Sequence, residues 1–129
     1  MKQESKQLVL KDLCGRLPYK VKVTTTNPSV KFGVISGISI ENKISVRTKH
    51  ADIVFNCIEV KPYLFPLSSM TEEQKVIYGD LCYAVIRSLA WDMQAALNEL
   101  VDWLNKNHFD YRGLIKKNLA IDCTNLDIY

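Results

Sequence analysis

The sequence predicts an α+β fold: a short amino-terminal helix, a small curved antiparallel sheet of four or five strands, two packed helices and a short extended tail. Three observations carry this expectation. The apolar period is two residues from Tyr19 to about residue 61 and three to four residues from about residue 71 onward. The two halves meet in an apolar run from Lys61 to Gln74 that contains Pro62 and Pro66, and a second aromatic-rich run from Asp102 to Ile115 spans the end of the last helical pattern. Apolar side chains in irregular backbone need burial by remote neighbours, so both runs read as seams between sheet and helices.

Taken in order, residues 5–14 predict a helix, with Leu10, Leu13, Cys14 and Leu17 on one face, Gly15 as its left-handed end and Pro18 forbidding continuation. From Tyr19 to Thr24 alternation places Val21 and Val23 on one side of a strand, and Asn27-Pro28-Ser29 supplies the turn. The next strand spans about 31–41, with Phe32, Val34, Ile38 and Ile40 in phase. Gly33 and Gly37 inside it suggest sharp bending and a small barrel. Glu41-Asn42-Lys43 predicts a tight hairpin with Asn42 at positive φ, and Ile44, Val46 and Thr48 then alternate with polar residues. Between Ile53 and Val60 the apolar set changes parity near Asn56, so a bulge or a new strand is expected there. These features suit a small SH3-like or otherwise strongly curved sheet.

Pro62 and Pro66 lack amide donors, so Tyr63, Leu64, Phe65 and Leu67 are expected as an apolar strap, residues 62–70, across the sheet's end. Thr71 with Gln74, or Ser69 with Glu72, forms a capping box that starts a helix. Its expected buried stripe is Ile77, Leu81, Cys82, Val85, Ile86 and Leu89. A second stripe follows at Met93, Leu97, Leu100, Val101 and Leu104, after a break between Arg87 and Asp92. Asn107 or His108 ends that helix, Asn118 is a left-handed cap, and 119–123 reads as a final extended segment. The whole, residues 1–129, is expected as one domain, a sheet lobe over 1–61 and a helical lobe with tail over 71–129.

The chain is 47% apolar and 24% charged, the composition of a globular protein, and no apolar run reaches the roughly 20 residues that cross a bilayer. No membrane association and a cytoplasmic setting are therefore expected. Residues 1–61 hold eleven Lys and Arg against five Asp and Glu, a net of +6, whereas residues 62–129 hold six against nine, a net of −3. A moderately basic half permits an anionic partner without demanding one. Cys14, Cys57, Cys82 and Cys123 lie far apart beside apolar neighbours, as reduced core residues do, and no metal site is expected. Trp91, Trp103, Tyr78 and Tyr83 are expected in packing rather than around a cofactor, and none is expected.

Three readings of function follow. No nucleophile, metal or phosphate-loop motif occurs, so no catalytic residue is assigned and the first reading is a non-enzymatic protein-binding or adaptor module. The second is a nucleic-acid-binding accessory protein, with Lys20, Lys22, Lys31, Lys43, Arg47 and Lys49 converging on one sheet face. The third is a ligand site or enzyme at His108, Asp110, Tyr111 and Arg112, the only close set able to act as acid, base and cation. The same four residues also suit a loop clamp in which Arg112 holds Asp110.

The runs Leu10 to Tyr19, Lys61 to Gln74, Asp102 to Ile115 and Leu119 to Asp122 resemble a family of short uncharacterised proteins of gut Bacteroidales genomes and their phages. The resemblance covers nearly the whole chain in order, and the second and third runs are its most specific parts. It transfers no activity; it implies a bacterial host cytoplasm and a mobile-element accessory role. Val76 to Gln94 fits the pattern least, which implies a variable insertion on a shared frame.

Overall fold

A computed structural model describes residues 3–88 and 92–129. The expectations for Leu89 and Trp91 lie outside them. Helix α1 (Gln3–Arg16) leads through a 3-10 turn (Leu17–Tyr19) into four antiparallel strands, β1 (Lys22–Thr25), β2 (Gly33–Ile38), β3 (Lys43–Arg47) and β4 (Asp52–Asn56). A 3-10 turn (Cys57–Glu59) precedes β5 (Val60–Pro66), and then come α2 (Glu72–Arg87), α3 (Met93–Lys106), β6 (Phe109–Asp110) and β7 (Ile121–Asp122). The sheet runs β4-β3-β2-β1-β5-β6, with β7 also on β5, and it is open rather than closed into a barrel. Its order is antiparallel except where β6 and β7 join β5 in parallel, so the α+β class holds with two extra two-residue strands.

Several elements differ from their sequence patterns, each for a physical reason. Gly15 lies within α1, and the left-handed residue is Lys20 (φ 54°), because the 3-10 turn accepts Pro18 in its first positions and delays the exit. A Cβ on Gly15 would stand 3.1 Å from Asn105 Nδ2, so the glycine serves close approach of α1 and α3. The buried face of α1 is Val9, Asp12, Leu13 and Arg16, while Cys14 is exposed, since a buried ion pair takes positions that apolar periodicity does not mark. Ahead of its register shift the phase of β2 is reversed, for Gly33 and Ile35 face the core and Phe32 is 62% exposed; beyond the shift Ile38 packs against the core as expected, and Ile40, past the strand, is fully exposed. Gly33 carries no side chain to register inward, so the pattern of its neighbours misleads. The bend at Gly37 is real, with the register shifting between Ile35 and Gly37.

The parity change at Asn56 marks a new strand. The Asn56 amide donates to Glu59 Oε2 at 3.1 Å, capping the turn that separates β4 from β5. The strap is itself strand β5, for the prolines still offer carbonyls: Val60, Lys61 and Pro62 pair with β1, Tyr63 and Leu64 with β7, Phe65 and Pro66 with β6. Thr71 and Gln74 form the reciprocal box that starts α2, and Ser88, extended at φ −70° and ψ 144°, ends it. α2 buries no residue at all; Ile77 and Ile86 of its expected stripe are exposed. Trp103 packs between Tyr78 and Phe109, but Tyr83 is exposed.

The main core lies between α1 and the sheet, built from Val9, Leu13, Val21, Val23, Ile44, Val46, Leu64 and Leu114 among others. A smaller aromatic cluster of Met70, Leu104 and Phe109 with Phe65, Tyr78 and Trp103 roots the helical hairpin. Within the main core, a Cβ on Gly33 would collide with the buried, β-branched Val46 side chain, whose single χ1 leaves little room to yield. Gly33→Ala is therefore expected to lower stability by about 1–3 kcal/mol, read as a fall in the urea midpoint at unchanged m-value.

Candidate functional site

Where α3 ends, His108 takes left-handed φ (61°) and donates its amide to Asn105 O at 3.1 Å, reversing the chain so that it can lie beside β5. The Phe65 amide then donates to His108 O at 2.8 Å. Asp110 accepts from the Leu114 and Ile115 amides, both at 2.9 Å, which fixes the following turn. Tyr111 donates its hydroxyl to Asn105 Oδ1 at 2.8 Å. Arg112 does not hold Asp110, whose oxygens are taken by backbone; its Nε lies 3.4 Å from Asp12 Oδ1 on α1. The four residues that sequence brings together thus turn to four separate tasks.

The centre of this region is a pair that the sequence did not mark. Arg16, fully buried, donates through Nε to Asp12 Oδ2 at 2.8 Å and through Nη2 to Asp12 Oδ1 at 3.1 Å and Phe109 O at 2.6 Å. Both Arg16 and Arg112 lie over the Tyr111 ring, 5.3 and 5.0 Å from its centroid. An Asp and Arg four apart on a helix are ordinarily read as a surface pair, and nothing in the spacing says that this one is buried.

His108 stacks on the carboxy-terminal Tyr129, ring centroids 3.8 Å apart at 12°. Burial, then the charges of Arg16 and Lys22, lower its pKa to about 4, so the imidazole is neutral at pH 7. The Tyr129 hydroxyl accepts from the Lys22 amide at 2.9 Å and donates to Tyr63 O at 2.8 Å, filling a gap in the β1–β5 ladder. Burial pushes this phenol well above its usual range, against the opposing pull of the Lys22 amide.

The basic residues divide. Lys22 donates to Ile128 O at 2.6 Å and faces the Tyr129 ring, and Lys43 bonds Asn56 at the other end of β3 from Arg47. Lys20, Lys31, Arg47 and Lys49 do come together, along two clefts of about 480 and 580 Å³ that share Phe32, Thr48 and Lys49. Arg47 is held by Asp52 at 3.1 Å, which also raises its pKa, so three lysines keep unneutralised charge. His50 joins the smaller cleft, which Thr48 shapes by accepting the His50 and Ala51 amides.

A further surface was invisible to the expectation of a buried α2. Val76, Gly79, Tyr83 and Ile86 follow at steps of three, four and three, the spacing of one helical seam, and Val76, Tyr83 and Ile86 are 64%, 57% and 79% exposed. Half-buried Tyr78, Leu81, Cys82 and Val85 occupy the other side of the helix. The signal was present as a second apolar stripe, yet a helix apolar on two faces does not say which one the fold covers. Among the described residues, no group of three or more His, Cys, Asp and Glu stands ready to hold a metal ion, and no helix is long and apolar enough to cross a membrane. No family model matches the chain, and no curated protein or solved structure matches it.

Two outcomes test the clamp. Asp12→Asn leaves Arg16 buried without its counter-charge and is expected to cost about 3–5 kcal/mol in urea unfolding, whereas exchanging Asp12 and Arg16 together for Leu and Met is expected to cost much less. His108 has a folded pKa below its unfolded value of 6.5, so the unfolded chain binds the extra proton first. Its contribution to stability is complete above pH 6.5 and is lost as pH falls toward 4. His108→Asn, which tolerates the left-handed backbone, is expected to flatten the dependence of Tm on pH across that window.

Proposed function

We propose that this chain is a non-enzymatic protein-binding module, an adaptor of the phage or mobile-element kind, which docks an amphipathic helix of its partner along the outer seam of α2. The exposed seam Val76-Gly79-Tyr83-Ile86 carries the reading. A helix that only half-buries its inner face gains little from apolar residues on its outer face unless another surface covers them. Gly79 leaves open space where a Cβ would stand, a hollow suited to a knob from a facing helix. Arg87 donates to the Tyr83 hydroxyl at 2.8 Å and holds that ring on the surface. Mixed charges at Glu73, Lys75, Asp80 and Arg87 border the seam and suit a register-specific helix pair rather than a lipid surface.

Two further observations support a binding role over catalysis. In the 108–112 loop Asp110 is engaged by two backbone amides, Arg112 lies beside Asp12 and the His108 ring is stacked on Tyr129, and the resemblance to short Bacteroidales and phage proteins fits an accessory role in a bacterial cytoplasm. Pull-down from host lysate is expected to recover one stable partner, and Val76→Glu with Ile86→Glu is expected to abolish that recovery while leaving Tm within about 2 °C, since both sites are exposed. Sedimentation at rising concentration separates a second copy of the chain from a different partner. Undiminished recovery by the double variant, or turnover of a small substrate by the purified protein, rejects the reading.

A further inference from the structure

Apart from the α2 seam, we infer that Phe32 is a stacking platform for single-stranded nucleic acid, with a base laid on its exposed ring and the adjacent phosphates on Lys20, Lys31 and Lys49. The platform is built, not incidental. Beneath Phe32 lies the buried Tyr63 ring, centroids 5.7 Å apart and planes at 23°, and the Tyr63 hydroxyl donates at 3.0 Å to the carbonyl of Lys31, the residue before Phe32. One aromatic face is thus fixed from below while the residue stays 62% exposed. Glycine at position 33 lets the strand press against Val46 and leaves Phe32 directed away from the core.

Two clefts of about 480 and 580 Å³ meet at this ring, each of the order that encloses a small ligand, so the unstacked bases of consecutive nucleotides have room on either side of it. Lys31 borders the first, Lys20 the second, and Lys49 both, which sets positive charge along the whole path. The two other charged groups here, Arg47 and Asp52, neutralise each other at 3.1 Å. A duplex keeps its bases stacked inside and offers this ring only its backbone, whereas a single strand can present both base and phosphate. Three phosphate contacts also match the modest net charge of this half of the chain better than the dense basic stripe of a duplex reader does.

Fluorescence anisotropy of labelled 15-nucleotide single strands, DNA and RNA in separate arms, tests the inference, with the hairpin duplex of the same length as comparison. Single strands are expected to bind more tightly than the duplex and to weaken about 20-fold between 50 and 200 mM salt, as three phosphate contacts require. Phe32→Ala is expected to lose about 5- to 150-fold in affinity, Phe32→Leu a similar amount, and Phe32→Trp to retain binding. Lys31→Glu with Lys49→Glu is expected to abolish it. The exposed position of Phe32 makes folding of these variants readily checked by circular dichroism. Equal or tighter duplex binding overturns the inference, as does loss in the lysine variant with none in Phe32→Ala. Binding of heparin as tight as that of oligonucleotides and indifferent to Phe32 reduces the face to general polyanion attraction and overturns it too. Absence of any binding at 50 mM salt does the same and leaves the helical docking seam untouched.

Discussion

One buried guanidinium ties the parts of this protein together. Arg16 reaches from the last turn of α1 to Asp12 on its own helix and to the Phe109 carbonyl on β6, and so joins the amino-terminal helix to the edge of the sheet. A charge without solvent is costly unless each of its contacts is well made, which restricts how α1, α3 and the 108–112 loop can be arranged. Asp12 receives Arg112 as well, and Tyr111 lies beneath both cations and bonds Asn105. Residues that look like chemistry in the sequence are therefore the means by which three elements find one geometry.

This joint lies between two apolar clusters of unequal size. The larger fills the space between α1 and the open sheet; the smaller, mostly aromatic, fastens the root of the α2–α3 hairpin through Met70, Phe65, Tyr78, Trp103 and Phe109. Beyond that root the hairpin has little to pack against but itself, and α2 keeps a whole apolar seam in water. The sheet, by contrast, offers a fixed aromatic ring among lysines. The two surfaces differ in chemistry, one apolar and helical, the other aromatic and basic.

Much of the fold was legible in the sequence, and the misses share a cause. The α+β class, the hairpin at Asn42, the capping box at Thr71 and Gln74, and the ends of the helices at Arg87 and Asn107 come from local physics, where period, φ preference and caps act within a few residues. The phase of β2 and the buried side of α2 were misread because each segment has apolar residues on two faces. Choosing between them depends on what the rest of the chain places alongside. The strap became a strand for the same reason: Pro62 and Pro66 limit donors, but only the arrival of β1, β6 and β7 decides that the carbonyls are used.

For the sites the division is sharper. Of the six basic residues read as one face, four meet around Phe32, while Lys22 is taken by Ile128 and Tyr129 at the far end of the chain and Lys43 by Asn56. The sequence by itself determined where helices and strands begin, where turns fall and which residues could carry charge or rings, because those depend on backbone and side-chain preferences of near neighbours. Tertiary structure alone decided that Asp12 and Arg16 are buried, that Arg112 turns to Asp12, and that Phe32 and the α2 seam face water. Burial and partnership are properties of contacts made across as many as 107 residues of chain, and no local pattern encodes them.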